Sequence, residues 1–262
     1  MILNRIVEAT EIRVEKAKKK ISLQQMIMLA KKNDSPFNFE KALRKKDISF
    51  ICEVKKSSPS KGIIVEDFPY IKIAKEYESA GAAAISVLTE PDFFMGKTDY
   101  LKSIKQNVPI PVLQKDFIID EYQIYEASSL GADAILLICS VLNKDKIIKF
   151  TQIAGKLGMS CLVEAHDEQE IKTAIDAGAR IIGVNNRNLK TFDVDLNNSI
   201  RLRKFVPQDI IFVSESGIKT AEDVKRLREN GTNAVLIGET LIKSENKRMA
   251  LNNLRGENNV QN

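Results

Sequence analysis

The sequence has few of the residues that build the commonest covalent and metal sites. It contains one histidine, His166, which stands before the N-cap context DEQE and is interpreted as structural. That interpretation leaves no histidine for a Ser-His-Asp triad or a multi-histidine metal site. The three cysteines, Cys52, Cys139 and Cys161, lie in or beside apolar runs without disulfide or metal spacing. An odd number of thiols placed in this way is typical of a reduced cytosolic protein.

Long apolar runs are also missing. No stretch approaches the ~20 apolar residues that a bilayer-spanning helix needs. The N-terminal sequence MILNRIVEATEIRVEKAKKK mixes charged and apolar residues at helical spacing and lacks the apolar core of a signal peptide. We therefore expect a cytoplasmic protein without a membrane partner.

The charge balance is only weakly basic. Forty Lys and Arg residues against 35 Asp and Glu give a net charge of +5, spread along the whole chain. The short clusters KAKKK and RKK lie among apolar residues at helical spacing, which is typical of solvated helix faces. The expected partner is an anionic small molecule, and nucleic acid is not expected.

From Ile48 onward, short apolar runs alternate with longer segments of helical periodicity, which predicts parallel strands joined by helices. The predicted strands are Ile48 to Val54, Ala83 to Leu88, Ile110 to Gln114, Ala134 to Cys139, Ser160 to Ala165, Ile181 to Asn185, Ile210 to Glu215 and Ala234 to Gly238. Eight such units predict an α/β fold, a (β/α)8 TIM barrel. A doubly wound open sheet is the competing architecture, but it usually has a Gly-rich turn after its first strand, where this chain has SSPSKG.

Two further features fit the barrel. Four glycines that each end a helix before the second, fourth, sixth and eighth strands recur about every 50 residues, as stacked quarters of a barrel would require. They are Gly81, Gly131, Gly178 and Gly231. Residues 1–47 are predicted to form an N-terminal helical extension packed on the barrel of residues 48–262, in a single domain overall.

Charged and polar residues follow the predicted strands at one end of the barrel. Glu53 and Lys55 are two residues apart and share a face, so both enter the lumen if Cys52 and Val54 face the helices. Further polar residues at strand ends are Lys115, Glu164, Asn185, Arg187, Glu215 and Ser216. The opposite strand ends show no matching cluster, and active sites of this fold lie at the carboxyl ends of the strands. Without a catalytic histidine, proton transfer is expected from Lys and Glu residues with perturbed, coupled pKa values.

Two loops are candidates for phosphate binding. Gly217 in SESGI and Gly238 in IGET stand just beyond the seventh and eighth strands. Bare backbone N–H groups can approach an anion there, and many barrels hold phosphate in these two loops. A phosphorylated small-molecule substrate is therefore expected.

The stretch FICEVKKSSPSKGII, a Glu-x-Lys followed by Ser-Pro-Ser, resembles the signature of the indole-3-glycerol-phosphate synthase family of tryptophan biosynthesis. Over nearly the whole chain, VLTEPDFFMG, VLQKDFIID, LVEAHDEQE, IGVNNRNLKTFDVDL, VSESGI and LIGET correspond to that family in order. The N-terminal extension is similar to the helical segment that the family carries. The resemblance implies closure of 1-(2-carboxyphenylamino)-1-deoxyribulose 5-phosphate to indole-3-glycerol phosphate, with loss of carbon dioxide and water. It implies no cofactor, no metal and a monomer.

The resemblance also implies roles for individual residues. Lys115 corresponds to the general acid. Glu164 and Lys55 correspond to residues that take part in the later proton transfers, with no step assigned to either. Glu53 would orient Lys55. The implied substrate contacts are Ser58, Phe117, Asn185, Arg187, Leu189, Glu215 and Ser216, with Phe117 and Leu189 against the aromatic ring and Arg187 bracing carboxylates. The implied phosphate contacts are Lys55, Ser58, Gly217, Gly238 and the backbone N–H of Glu239, which stands where some family members have serine.

Two other functions remain as alternatives. A phosphate-binding isomerase such as phosphoribosylanthranilate isomerase would share the two phosphate loops. Its chemistry does not call for the Glu-x-Lys-x-x-Ser-Pro-Ser stretch or for Lys115, Asp116 and Phe117. A non-catalytic anion-binding barrel would bind heparin in a salt-sensitive way and turn over no substrate.

Overall fold

A computed structural model describes residues 2–188 and 191–257 of the chain. Its ten strands are β1 (Ser49–Val54), β2 (Ser57–Ser58), β3 (Gly62–Ile63), β4 (Ala84–Leu88), β5 (Val112–Lys115), β6 (Ala134–Ile138), β7 (Ser160–Ala165), β8 (Ile181–Asn185), β9 (Ile211–Glu215) and β10 (Ala234–Ile237). Eight of them form a closed parallel barrel in the order β1-β10-β9-β8-β7-β6-β5-β4. The remaining two, β2 and β3, form a short antiparallel hairpin in the loop after β1. The predicted (β/α)8 barrel is confirmed.

Helices connect the strands and precede the barrel. They are α1 (Ile2–Lys20), α2 (Leu23–Leu29), α3 (Asn38–Leu43), α4 (Tyr70–Ser79), α5 (Pro91–Phe94), α6 (Thr98–Lys105), α7 (Glu121–Leu130), α8 (Lys144–Lys156), α9 (Glu168–Asp176), α10 (Asn197–Leu202), α11 (Ala221–Glu229), α12 (Glu239–Ile242) and α13 (Lys247–Arg255). The four predicted helix-ending glycines all have φ between 76° and 87°, in the left-handed region. Gly158 does the same before β7, so this feature is not confined to alternate strands.

The apolar core has two layers, because side chains of each strand alternate between helices and lumen. Cys52 and Val54 of β1 face the helix layer, as predicted, in a cluster that includes most of the buried helix residues. The lumen cluster contains Ile51 and also Phe39 and Leu43 of α3, which are fully buried. Helix α3 thus closes the amino-terminal end of the barrel.

The first three helices reach both ends of the barrel. Near the amino ends of the strands, the backbone N–H groups of Asn33 and Phe37 donate to the carbonyls of Leu157 and Gly158, at 2.9 Å each. At the other end, Ile6 and its neighbours in α1 line a cavity at the carboxyl ends of the strands. Of the described helices, none combines the length and apolarity needed to cross a membrane.

Candidate active site

A cavity of about 750 Å³ opens at the carboxyl ends of the barrel strands. It is lined by every predicted site residue that the structure describes: Glu53, Lys55, Ser58, Lys115, Phe117, Glu164, Asn185, Arg187, Glu215, Ser216, Gly217, Gly238 and Glu239. Leu189, predicted to face the aromatic ring, lies outside the described residues. The lining residues belong to strand ends and to the loops that follow them, so closure of the barrel brings residues far apart in sequence into one space.

Lys115 is the centre of the site. At the end of β5, its Nζ lies 3.1 Å from Oε2 of Glu164 on β7 and 2.8 Å from Oε2 of Glu215 on β9. Both carboxylates are buried. Burial by itself would lower the pKa of Lys115, but Glu215, Glu164 and Glu53 outweigh it and hold the pKa above its ordinary value. Lys115 is therefore an ammonium group.

The two glutamates that share Lys115 titrate differently. Burial raises the pKa of Glu215 to about 7, although the Lys115 charge opposes this change. Burial also acts on Glu164, but Lys115, His166 and a hydrogen bond from the Asn185 side chain outweigh it and keep the pKa of Glu164 below its ordinary value. One ammonium cannot compensate two buried carboxylates fully, and Glu164 has the additional partners. Near neutrality the site therefore holds an ionised Glu164 beside a Glu215 that can carry a proton.

A second ion pair lies across the lumen, where Lys55 Nζ contacts Oε2 of Glu53. Two glycines, one within β8 and one just after β10, leave the space that the carboxylates of Glu215 and Glu53 occupy. A Cβ atom at Gly238 would overlap the Glu53 carboxylate, and one at Gly183 would overlap Oε1 of Glu215. Gly238 thus has a packing role beside its predicted one, and Gly183 was not identified from the sequence.

The predicted phosphate end of the cavity is basic. Ser58 in the hairpin and Gly217 and Gly238 beyond β9 and β10 line it, and Lys61, Lys219 and Lys243 do so as well. Ser216 and Gly217 have φ values of 68° and 82°, which turn the chain sharply after β9. These three lysines were missed because each belongs to a solvent-exposed pattern in the sequence.

Glu239 does not repel an anion as strongly as its charge suggests. Its Oε1 lies 2.7 Å from Lys243 Nζ. The hydrogen bond from Lys243 lowers the pKa of Glu239, and the charges of Lys61 and Arg187 act in the same direction. The carboxylate is thus occupied by a neighbouring cation, while its backbone begins α12.

The opposite wall of the cavity is apolar. Phe117 follows Lys115 by two residues, and its ring centroid lies 6.2 Å from that of Phe94 in α5. Ile2, Leu3 and Ile6 of α1 complete this side. Their role was not predicted, because an apolar residue on an amphipathic helix carries no signal of which surface it covers.

The loop after β8 is held by polar contacts. Asn185 Oδ1 accepts from the backbone N–H of Arg187 at 3.0 Å, and the Arg187 guanidinium donates to the Phe192 carbonyl at 3.1 Å. Asn186, which was not predicted, donates to the Ser216 carbonyl at 3.0 Å. This buried amide therefore joins the loops that follow β8 and β9.

Two polar networks lie apart from the charged cluster of the lumen. Gln114 faces away from the lumen, is buried and donates to Thr89, which in turn donates to Asp116 at 2.6 Å. At the amino-terminal end, Lys105 Nζ lies 2.6 Å from Asp133, so that end is not free of charge. The lumen cluster remains distinct in bringing several carboxylates and ammonium groups into one cavity. Within the described residues, no three His, Cys, Asp or Glu side chains are grouped as a metal site.

Asp167, the first residue of DEQE, is the N-cap residue of α9, as predicted, and His166 precedes it without capping the helix. The imidazole instead lies beside the lumen, with Nε2 3.4 Å from Oε1 of Glu164. The sequence did not predict this contact with Glu164.

The arrangement suits proton transfer on a phosphorylated aromatic compound. It offers a buried ammonium group as acid, an ionised carboxylate as base, a basic end for phosphate and an apolar wall for a ring. All of these groups are supplied by side chains and backbone.

Comparison with known proteins gives a consistent result. A family model described as indole-3-glycerol phosphate synthase matches residues 3–254. The chain is 60% identical over 258 residues to the indole-3-glycerol phosphate synthase of Ruminiclostridium cellulolyticum, covering 98% of this chain and 99% of that protein. It is 61% identical over 248 residues to the protein of the same name from Endomicrobium trichonymphae, covering 94% and 96%. Among solved structures, 3-hexulose-6-phosphate synthase from Salmonella typhimurium shares the fold, with a TM-score of 0.66, 14% identity and coverage of 80% and 98%.

Proposed function

The chain belongs to the indole-3-glycerol phosphate synthase family, decarboxylating lyases of tryptophan biosynthesis, and we propose how its lumen residues close the indole ring. The substrate is 1-(2-carboxyphenylamino)-1-deoxyribulose 5-phosphate, and the product is indole-3-glycerol phosphate. The isomerase and the non-catalytic barrel are set aside, because the relatives over the full chain carry the synthase name.

The first step is attack of the aromatic carbon that bears the carboxylate on the C2′ carbonyl. Lys115 donates a proton to the carbonyl oxygen as the carbon-carbon bond forms. The observation that carries this assignment is the position of its Nζ between Glu164 and Glu215, buried at the end of β5. An ammonium group in such a low-dielectric site also stabilises the negative charge that develops on oxygen.

Carbon dioxide then leaves, which restores the aromatic benzene ring. The hydroxyl formed at C2′ departs with a proton as water, and this dehydration completes the indole ring. The ionised Glu164 suits proton removal, and the ammonium group of Lys55 suits donation to the departing hydroxyl. Glu53 orients Lys55 through their ion pair. Glu164 and Lys55 therefore serve the dehydration together.

The remaining residues bind the substrate. The phosphate occupies the basic end, with Lys55, Ser58 and the backbone N–H groups of Gly217, Gly238 and Glu239. Phe117 flanks the aromatic ring. Asn185, Glu215 and Ser216 position the ribulose hydroxyls and the anthranilate end, while Arg187 braces the carboxylates. We propose that the enzyme acts as a monomer in the cytoplasm, without cofactor or metal, which light scattering and metal chelation would test.

Substitution of the acid tests the assignment. We expect Lys115→Ala to lower kcat by about 10²–10⁴-fold with an unchanged circular dichroism spectrum, because general acid catalysis is worth that factor. Indole product is followed by its absorbance and fluorescence. Lys105→Ala is the matched control, since Lys105 is also ion-paired with a buried carboxylate but lies at the other end of the barrel. A Lys115→Ala variant that keeps most of its kcat would show that another group is the acid.

A further inference from the structure

His166 is the only histidine of the chain and has no part in the steps above. It follows β7, two residues after Glu164, and its ring is mostly buried. Oε2 of Glu170 in α9 accepts both from the backbone N–H of His166, at 2.8 Å, and from its Nδ1, at 2.9 Å. These two hydrogen bonds fix the orientation of the imidazole ring.

The other ring nitrogen points toward the reaction site. Nε2 lies 3.4 Å from Oε1 of Glu164, while Oε2 of the same carboxylate lies 3.1 Å from Lys115 Nζ. Nε2 is buried, and in the described part of the chain it has no hydrogen-bond partner, because the Glu164 oxygen at 3.4 Å is poorly aligned with the ring N–H. A small shift and rotation of the carboxylate toward the ring N–H would complete the bond.

The surroundings of the ring favour its protonated form. Carboxylates reach it from three elements: Glu164 from β7, Glu170 from α9 and Glu215 from β9. The thiol of Cys139, beyond β6, faces two of the same carboxylates. Burial would lower the pKa of His166, but the hydrogen bond with Glu170 and these negative charges outweigh it and raise the pKa above its ordinary value.

We propose that His166 is a positioning residue that holds Glu164, through Nε2 and Oε1, as the ionised partner of Lys115. Glu164 and Glu215 compete for one ammonium group, and Glu164 alone has an imidazolium on its free oxygen. Oε1 of Glu215, in contrast, is buried and finds no hydrogen-bond partner in residues 2–188 and 191–257. His166 thereby determines which of the two carboxylates is available to accept a proton. The inference depends on the proposed function for the role of Glu164.

The single histidine allows a test that does not depend on activity. The imidazole Cε1–H signal is the only one of its kind and can be titrated by NMR in the whole protein. We expect its midpoint to fall by about one pH unit in Glu164→Gln, because a carboxylate facing the ring is lost. Glu170→Gln should lower it as well, and Glu222→Gln, a change at an exposed position, should leave it unchanged. A midpoint in Glu164→Gln equal to that of the wild type overturns the inference.

A pair of substitutions tests the catalytic consequence. In His166→Asn the amide nitrogen takes the position of Nδ1, so the contact of Nε2 with Glu164 is lost. In His166→Gln the amide nitrogen reaches the position of Nε2, but it carries no charge. We expect kcat to fall about 10–100-fold in His166→Asn with KM little changed, since misplacing a reacting group costs that much. His166→Gln should recover part of kcat, and in both variants the acid limb of the kcat profile should move to higher pH.

The outcomes separate this inference from the proposed function. Variants within about twofold of the wild-type kcat, with an unmoved acid limb, would leave His166 a packing residue and overturn the inference. If the His166 variants fail to fold, the NMR titration of Glu164→Gln decides. A wild type without turnover would overturn the proposed function itself, and with it the catalytic role of the contact.

Discussion

At the scale of residues, one buried ammonium group serves two buried carboxylates. Lys115 contacts both Glu164 and Glu215, and a third carboxylate, Glu53, has its own partner in Lys55. The three acids and two ammonium groups leave one negative charge in excess, because the His166 imidazolium beside Glu164 also faces a fourth carboxylate, Glu170. A proton on Glu215 removes that excess, which agrees with the raised pKa of this residue.

The protonation of Glu215 predicts a pH-dependent stability. Its pKa is about 7 in the folded chain against an ordinary 4.5, so the folded state holds a proton that the unfolded state releases between these values. The contribution of Glu215 to the free energy of unfolding is therefore fully present below about pH 4.5 and is lost as the pH rises toward 7. We expect the free energy of unfolding of Glu215→Gln to rise relative to that of the wild type by at most about 1.4 kcal/mol per pH unit over that interval.

Urea unfolding at pH 5, 6, 7 and 8 measures this difference. Glu222→Gln, at an exposed position, should differ from the wild type by a constant amount at all four. If the difference between Glu215→Gln and the wild type is equally flat, Glu215 is ionised throughout in the folded protein.

The charged residues of the lumen could be predicted because a strand places every second side chain on one face. Glu53 and Lys55 follow that rule directly, and Lys115, Glu164 and Glu215 follow it through their positions at strand ends. The position of His166 beside Glu164 could not be predicted in this way. It depends on the turn between β7 and α9, where the local sequence indicates only the start of a helix.

At the scale of elements, α1 is attached to the loops that carry the acid. Arg13 lies 2.7 Å from Asp116, the residue after Lys115, and 3.6 Å from Glu90. Glu90 in turn accepts hydrogen bonds from the first backbone N–H groups of α5, and Phe94 of that helix packs against Phe117. One arginine of the N-terminal helix thus connects the loops after β4 and β5.

Loss of this connection should affect stability and catalysis together. We expect Arg13→Met to lower the free energy of unfolding by about 1–3 kcal/mol, because two buried carboxylates lose a partner that is itself partly exposed. Amide hydrogen exchange across residues 2–20 should accelerate, and kcat/KM should fall. Lys16→Met, on the exposed face of the same helix, should change neither. Unaltered exchange in Arg13→Met would mean that apolar contacts alone hold α1.

Strands were easier to predict than loops. Two predicted strands, Ser160 to Ala165 and Ile181 to Asn185, have the observed bounds, since each is a mainly apolar run that a glycine-containing turn precedes and a polar loop follows. The predicted start at Ile110 is two residues early, because Pro111 has no N–H for the sheet. The hairpin of β2 and β3 and the four-residue α5 were missed, since such short elements have no periodicity to detect.

At the scale of the whole molecule, residues that precede the barrel occupy both of its ends. Helix α1 has 19 residues and is about 28 Å long, which suffices to pass along the outside of a barrel. Its first turn lines the cavity, while Phe39 and Leu43 of α3 are buried in the lumen at the amino-terminal end. We infer that the extension is part of the folding unit of the barrel rather than a separate attachment.

This arrangement predicts that two truncations in the extension separate stability from substrate binding. Phe39→Ala removes a fully buried ring from the lumen and should cost about 3–5 kcal/mol of unfolding free energy with kcat unchanged at low temperature. Leu3→Ala shortens a partly exposed side chain of the cavity wall, so it should raise KM and cost under about 1 kcal/mol. Chemical unfolding and steady-state kinetics on both variants measure the two effects.

A single cooperative unfolding transition is expected in Phe39→Ala, with a lower midpoint than in the wild type, because the ring packs against several barrel strands. Two separate transitions would instead show that the extension unfolds independently, and the domain would then have to be divided near residue 47.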